Sequence, residues 1–372
     1  MYLVPEECTM KISAFFENGD ADREKAVRQT AWIREKYPSD TLVMISAGDF
    51  RSDGIAFGVR ARDRAGYQME AGADLILSLP AASVLGGFGK KNFASAALIQ
   101  RLHAVDRILL LCHPLPGQNV DECAKELKAC AMAVFREGTV YRSRLQEALL
   151  QKLSFHDAQM KAVICCMPQA EKLLAYSENR RAVRILDTLL QLYYMVDTEF
   201  LDVREISGGE TGVDTAAARW PAELTAFEIR AAEELKKALG RKASASLRDV
   251  AGWTDGMIAA LYPEPEWLRK AESLQEIAEK LADYTMNTDS ARLFLLRTIL
   301  MITQSNMQIN ALHLYVPYTY VLGMDPEKKT ELGKIREASW VPFISSGETD
   351  PSVQEQYPFL LQIDQRTDKL LP

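Results

Sequence analysis

Hydrophobic and polar positions follow two different periods along the first 115 residues. Short continuous apolar runs are typical of buried parallel strands, whereas surface helices repeat their apolar residues every three to four positions. The predicted strands are 9–13, 42–45, 75–79 and 105–111, and the predicted helices between them are 24–36, 63–71 and 93–103. Strands that alternate with helices in this order predict an α/β domain with a parallel sheet and right-handed crossovers.

The pattern changes after Pro116, where helical spacing dominates. A strand-like run at 200–206 precedes a turn-rich patch at 207–212. The predicted helices on either side of it are 119–136, 142–160, 180–194, 225–239, 246–261, 267–284 and 290–303. We therefore predict a Rossmann-like α/β domain over residues 1–215, followed by a mostly α-helical C-terminal domain over residues 216–372.

Composition places the chain among folded globular proteins, because 48% of its residues are hydrophobic and 26% are charged. The formal net charge of −7 argues against a surface coated by nucleic acid but leaves room for a local basic patch. The six cysteines form no C-x-x-C pair and the four histidines form no H-x-x-x-H pair, so we expect reduced thiols and no metal site. The first residues lack the features of a secretion signal, and no apolar run has membrane-spanning length. We expect a cytoplasmic protein without a membrane partner.

Candidate ligand residues follow the second predicted strand. Gly48 and Asp49 lie at its carboxyl end, where open α/β sheets bind their ligands. The segment beyond them carries Arg60, Arg62 and Arg64, which fit either a phosphate-facing patch or the solvated start of a helix.

A second group of basic residues lies in the predicted helix 180–194. Arg180, Arg181 and Arg184 share one face at helical spacing. Such a face suits RNA or nucleotide phosphates, although charged helix faces are also commonly just solvated.

Three blocks of the chain align without a gap to a family pattern. Residues 47–50, 64–65 and 71–80 read A-G-D-F, R-A and A-G-A-D-L-I-L-S-L-P, where the family has S-G-N-F, R-A and N-G-A-D-L-V-I-E-L-P. Weaker matches continue at 93–94, 178–179, 204–206, 243–248, 320–323 and 335–345. The chain thus resembles, over nearly its whole length, the HIGH-type nucleotidyltransferase family that includes bacterial tRNA(Met) cytidine acetate ligase.

The resemblance implies a function and a set of site residues. Family members use ATP with Mg²⁺ to activate acetate as an acyl-adenylate, and they acetylate a wobble cytidine of tRNA. Carried over by position, the implied nucleotide-binding residues are Phe16, Asn18, Gly19, Gly48, Asp49, Asn179 and Arg204. The implied phosphate- or RNA-binding residues are Arg60, Arg64, Arg180, Arg181 and Arg184.

The catalytic signature departs from the family. Its F-H-N-G-H loop falls on residues 16–20, so that Glu17 and Asp20 replace both histidines. Carboxylates accept hydrogen bonds where the histidines donate them, and at about 4 Å each would repel a triphosphate by about 4 kcal/mol unless Mg²⁺ intervened. Two hypotheses follow: a catalytically weakened or inactive ligase, and a pseudoenzyme that acts as an RNA- or protein-binding module.

Overall fold

The computed structural model describes residues 11–17, 23–46, 48–51, 53–86, 90–206, 222–241, 247–262, 264–285, 287–345 and 350–371. Within these ranges, seven strands form one sheet. The strands are β1 (Ile12–Phe16), β2 (Thr41–Ser46), β3 (Leu75–Ser78), β4 (Arg107–Cys112), β5 (Asp197–Asp202), β6 (Thr319–Met324) and β7 (Phe343–Ser345).

The strand order is β5-β4-β1-β2-β3-β6-β7. Strands β5 to β3 run parallel, β6 pairs antiparallel with β3, and β7 runs parallel to β6. The predicted Rossmann-like α/β fold is therefore confirmed. The chain leaves β1 towards β2 on one side and later returns to β4 on the other, so the topological switch point lies between β1 and β4.

Helices surround this sheet and make up most of the second half of the described chain. Those before the gap at 207–221 are α1 (Arg23–Lys36), α2 (Ala61–Glu70), α3 (Ala81–Val84), α4 (Lys90–Leu102), α5 (Val120–Arg136), α6 (Thr139–Leu150), α7 (Phe155–Cys166), α8 (Ser177–Gln191) and α9 (Val203–Ile206). Those after it are α10 (Ala222–Arg241), α11 (Asp255–Leu261), α12 (Glu266–Lys270), α13 (Leu274–Leu281), α14 (Thr288–Leu300), α15 (Gln304–Leu312), α16 (Lys329–Ala338), α17 (Pro351–Gln356) and α18 (Pro358–Leu370). Four short 3₁₀ segments within the described ranges are Pro168–Ala170, Leu173–Ala175, Ala282–Tyr284 and Pro326–Lys328.

Some features of the fold differ from the pattern-based expectation. The run predicted as a strand over 200–206 leaves the strand at Asp202 and continues as α9, and the helix predicted over 267–284 is divided into α12, α13 and a 3₁₀ segment. The sheet continues into the half predicted to be mostly helical, because β6 and β7 join it beside β3. The predicted division at residue 215 lies outside the described residues. The helix predicted over 142–160 is instead two helices, and Lys152 between them has φ +61°, which an α-helix does not allow.

The core lies on both faces of the sheet. Alternate residues of β2 enter different clusters, with Val43 and Ile45 in one and Leu42 and Met44 in the other. A strand covered on both sides must be apolar throughout, which explains its continuous run. No described helix is both long and apolar enough to cross a membrane.

Candidate functional site

The carboxyl edge of the parallel strands carries two of the predicted site residues, Glu17 after β1 and Gly48 just beyond β2. His113 after β4 and Asp202 at the end of β5 lie on the same edge and were not among the predicted site residues. Neighbouring strands are about 4.8 Å apart, so these positions span roughly 15 Å. The described members of the predicted site therefore form a row rather than a single cluster.

Glu17 is buried and ion-paired at the centre of this row. Its Oε1 accepts from Arg64 Nε at 2.7 Å and its Oε2 accepts from Arg64 Nη2 at 3.2 Å. Ser46 Oγ also donates to Oε2 at 2.7 Å. Glu17 and Arg64 are each 3% exposed, so the pair is removed from solvent.

Arg64 has two further hydrogen bonds, to the carbonyl oxygens of Val59 and Gly48, each at 2.5 Å. Its guanidinium also lies 4.4 Å from the centre of the Phe57 ring. This ion pair weakens the expected repulsion between Glu17 and a triphosphate, because Arg64 balances the charge of Glu17 inside the protein. Arg64 connects the ends of β1 and β2. Because its donors bind Glu17 and backbone carbonyls, Arg64 is not among the ligand contacts that we propose.

Asn18, Gly19 and Asp20, the rest of the predicted phosphate loop, lie outside the described residues. Phe16 is described and buried, and the guanidinium carbon of Arg181 lies 5.6 Å from the centre of its ring. The N-terminal half of α8 therefore reaches the end of β1.

Gly48 and Asp49 form the turn after β2. Gly48 has φ +71°, a conformation that favours glycine. Asp49 Oδ1 accepts from the backbone N–H of Ala61 at 2.6 Å and thus holds the start of α2. Burial raises the pKa of Asp49 above its ordinary value. Arg60 Nε lies 3.8 Å from the same oxygen, and Arg60 also pairs with Asp368 of α18.

These residues line a cleft of about 450 Å³ between the ends of β2 and β3 and helix α18. The volume is within the range of small-molecule sites, about 300–1,000 Å³. Its wall includes Asp364, which accepts from Ala81 N at 2.7 Å, from Tyr318 Oη at 2.6 Å and from Tyr320 Oη at 2.9 Å. Burial raises the pKa of Asp364 to about 6. The cleft thus combines arginine side chains with carboxylates.

Asn179 is fully buried on the other side of the switch point. Its Oδ1 accepts from the backbone N–H of His113 at 2.8 Å, and its Nδ2 donates to the carbonyls of His113 and Leu173 at 2.9 and 2.8 Å. These contacts fasten α8 to the end of β4. Because the amide is engaged with backbone, we also leave Asn179 out of the proposed ligand contacts.

His113 stacks on Tyr176, with ring centres 3.7 Å apart and planes inclined by 6°. Neither of its ring nitrogens has a hydrogen-bond partner among the described residues. Arg204 lies further along the edge and is bound to Asp202, with Nη2 2.6 Å from Oδ2. Although burial opposes it, hydrogen bonding from Arg204 lowers the pKa of Asp202.

The three arginines of α8 differ from one another. Arg180 Nη1 donates to Leu174 O at 3.5 Å, whereas Arg184 is largely buried and its Nε has no partner in the described chain. Burial, together with the charges of Arg181 and Arg180, lowers the pKa of Arg184 to about 10. Neither Arg180 nor Arg184 forms a salt bridge with a described carboxylate. Like charges therefore accumulate at this end of α8.

Lys91, at the start of α4, was not predicted as a site residue. Its Nζ donates to Phe50 O at 3.2 Å and lies 5.2 Å from the centre of the Phe57 ring that Arg64 also contacts. Burial, reinforced by the charge of Arg181, lowers the pKa of Lys91 to about 7. A buried amine with a shifted pKa beside a cleft is a functional candidate. The sequence signal was only a lysine pair after a glycine-rich segment.

Solved structures resemble this chain in fold, whereas comparisons of its sequence find no match. No protein-family model matches the chain, and no curated protein matches it in sequence. Two similar solved structures are of Thermotoga maritima TmcAL, the tRNA(Met) cytidine acetate ligase, one bound with alpha-thio ATP and one in the apo form. Each covers 97% of this chain and 93% of TmcAL with a TM-score of 0.70, at 15% and 14% sequence identity respectively. The predicted resemblance is confirmed at the level of the fold.

Proposed function

We propose that this protein is a cytoplasmic, nucleotidyltransferase-like protein related in activity to tRNA(Met) cytidine acetate ligase. In this proposal it retains nucleotide binding but is catalytically weakened in ATP-dependent acyl-adenylate formation. The observation that carries the proposal is the buried Glu17–Arg64 pair, which occupies the place where the resemblance implies a histidine.

Nucleotide binding is supported by the cations around this pair. Lys91 and Arg181 lie close enough for the charge of Arg181 to lower the pKa of Lys91, and Glu17 is already matched by Arg64. Two cations therefore lie near each other beside a carboxylate that is already ion-paired. Phosphate groups are the ligands that neighbouring cations favour.

Weakened catalysis follows from the loss of hydrogen-bond donors. In the family the histidines donate to phosphate oxygens as charge develops on the leaving pyrophosphate. Removing one such donor typically lowers the rate by a factor of about 10² to 10³. The carboxylate of Glu17 accepts three hydrogen bonds from Arg64 and Ser46 and has no proton to donate.

The site fits ATP, the first cofactor that the resemblance implies, better than it fits the second, Mg²⁺. The cations at Lys91 and Arg181 suit the phosphates of ATP. No group of three or more acidic, histidine or cysteine side chains among the described residues could hold a metal ion. We therefore assign no protein ligand to the Mg²⁺ that accompanies ATP.

Calorimetric titration with ATP·Mg²⁺, followed by a pyrophosphate-release assay with acetate, tests the proposal. We expect measurable ATP binding that weakens at least tenfold in Lys91→Met and is unchanged in Arg142→Gln, which removes an exposed arginine of α6. We expect acetate-dependent pyrophosphate release at least about 10³-fold slower than that of T. maritima TmcAL assayed alongside. Absence of ATP binding at millimolar concentration would refute the nucleotide-binding half, and a rate equal to that of TmcAL would refute the weakened half.

A pseudoenzyme that binds RNA or protein is the second candidate, and the arginines of α8 favour its RNA-binding form. Arg180 and Arg184 have no described carboxylate partner in a salt bridge, on a chain of net charge −7. A tRNA gel shift at several salt concentrations tests it. We expect affinity to fall steeply with salt, and to fall in Arg180→Gln, because phosphate contacts release counterions. A tRNA affinity that does not change with salt concentration would contradict this RNA-binding candidate.

A further inference from the structure

A second pocket lies between α14, α15 and the end of α3. Its volume is about 320 Å³, and its wall includes Arg297, Gln304, Met307, Gln308 and Tyr315. We call it the Arg297 pocket. It shares no lining residue with the cleft beyond β2.

Arg297 is a buried cation without a matching carboxylate among the described residues. Its side chain is 6% exposed, Nε donates to Leu85 O at 2.8 Å, and Nη1 donates to Ala251 O at 3.3 Å. It forms no salt bridge with any carboxylate of the described ranges. Burial lowers its pKa to about 10, so the guanidinium stays charged at neutral pH. Two carbonyls compensate a buried charge only in part, because a full counter-charge is absent.

The nearest contrast is Arg292, one and a half turns earlier on the same helix. Arg292 is 1% exposed and pairs with buried Glu228. The two arginines have similar burial, yet within the described ranges only Arg292 pairs with a carboxylate. The difference indicates that the counter-charge of Arg297 comes from outside the described chain.

The remaining walls supply neutral donors and an aromatic surface. Gln304 and Gln308 are four residues apart on α15 and therefore share a face. Lys90 Nζ lies 4.8 Å from the centre of the Tyr315 ring and adds positive charge beside the pocket. No acidic residue of the part of the chain that the structure describes lines the pocket.

A glycine keeps the backbone close to Arg297. Gly252 has φ +93°, and a Cβ at this position would lie 2.4 Å from Phe294 Cε1 and 3.0 Å from Arg297 Nη1. A side chain there would collide with the Phe294 ring and crowd the guanidinium. Glycine at this position therefore lets the backbone pass close beside Arg297.

We infer that the Arg297 pocket binds the phosphate group of a ligand. Guanidinium and amide donors together match the several acceptor oxygens of a phosphate, for which arginine geometry is well suited. The volume exceeds that of inorganic phosphate, so the attached part of the ligand would lie against Met307 and Tyr315. The phosphate could belong to a small molecule or to an RNA chain, and the probes below separate these sources.

The test uses the full chain labelled with ¹³C at its methionine methyl groups. Inorganic phosphate is titrated against chloride at equal ionic strength, and the Met307 resonance is identified through Met307→Leu. We expect phosphate to shift the Met307 resonance saturably and to leave Met160, buried in α7, unchanged. Chloride should shift neither. An unresponsive Met307, or equal shifts with chloride, would overturn the proposal. Competition by adenosine monophosphate identifies a small-molecule site, and competition only by single-stranded RNA identifies a polynucleotide site.

Gln304→Glu provides the decisive variant, because it places a carboxylate at the pocket while keeping the size of the side chain. We expect at least tenfold weaker phosphate binding and a higher melting temperature, as Arg297 gains a partner. Gln354→Glu, an exposed position on α17 outside the pocket, should change neither. Undiminished phosphate binding in Gln304→Glu would overturn the proposal. Because Met307 reports on this pocket alone, the result is independent of ATP binding at the carboxyl edge.

Discussion

Arg64 donates to Glu17 through both Nε and Nη2, at 2.7 and 3.2 Å, across 47 residues of sequence. The pair joins the end of β1 to the start of α2, and Ser46 at the end of β2 adds a third bond to the same carboxylate. Where the resemblance implies a histidine that donates to phosphate, Glu17 is instead held in a structural ion pair. This pairing is the physical basis of the weakened activity that we propose.

Glu17→Gln should destabilise the protein strongly. The amide has nearly the same shape but leaves the Arg64 guanidinium buried without a counter-charge, and breaking one side of a buried pair costs about 3–5 kcal/mol. The free energy of unfolding, measured with urea, checks this. Glu147→Gln at the exposed Arg144–Glu147 pair is the matched control and should produce no measurable change.

The double variant Glu17→Gln, Arg64→Met tests the same pair from the other side. Removing both charges should restore much of the stability lost in Glu17→Gln, because a buried pair replaced by neutral groups is often nearly neutral in cost. Losses that simply add would show that the two side chains are not coupled.

Asn179→Ala should also destabilise the fold, although the resemblance assigns Asn179 to nucleotide binding. The substitution leaves the N–H of His113 and the carbonyls of His113 and Leu173 without partners. Each unsatisfied buried group costs about 1–3 kcal/mol, so we expect a loss of about 3 kcal/mol in urea unfolding. Asn119→Ala removes an exposed helix cap and should cost about 1 kcal/mol. An Asn179→Ala variant as stable as Asn119→Ala would contradict the structural role and would favour ligand binding by Asn179.

The apolar runs of β1 to β4 predicted the parallel sheet because short-range pattern reports burial on both faces. The site depends instead on contacts between distant residues. Nothing local distinguishes Arg64, buried against Glu17, from exposed Arg62. Arg297 lies within an apolar stretch of α14, and sequence alone does not show that it is buried with no described carboxylate beside it. Strands β6 and β7 were missed because β6 pairs with β3, more than 240 residues away in sequence, and β7 pairs in turn with β6.

Asp364 should make stability depend on pH. Its carboxyl has a pKa of about 3.9 in an unfolded chain, and burial raises the pKa to about 6 in the fold. The folded state therefore holds the proton more tightly. Protonated Asp364 adds up to about 3 kcal/mol to the free energy of unfolding. This contribution is fully present below about pH 4 and is lost as the pH rises through about 6.

Melting temperatures of the wild type and Asp364→Asn between pH 4 and 7.5 check this. The amide keeps an acceptor for Ala81 N–H and cannot ionise, so the variant should lose less stability over that range. Asp187, whose pKa burial also raises to about 6, contributes equally to both proteins and cancels in the difference. Parallel melting curves against pH would show that Asp364 is ionised throughout.

Lys91 should take up a proton when ATP binds. Burial and the charge of Arg181 lower its pKa to about 7, so at pH 8 most molecules carry the neutral amine. Phosphates placed beside the amine favour its charged form and raise its pKa. Calorimetry of ATP·Mg²⁺ binding at pH 8, in buffers of different ionisation enthalpy, should show uptake of about half a proton or more per ATP. At pH 6 Lys91 is already protonated, and the uptake should vanish. Lys91→Met should abolish it at pH 8, whereas Lys125→Met, which removes an exposed lysine of α5, should retain it. Proton uptake that persists in Lys91→Met would show that another group takes up the proton. The phosphates of ATP would then not bind beside Lys91.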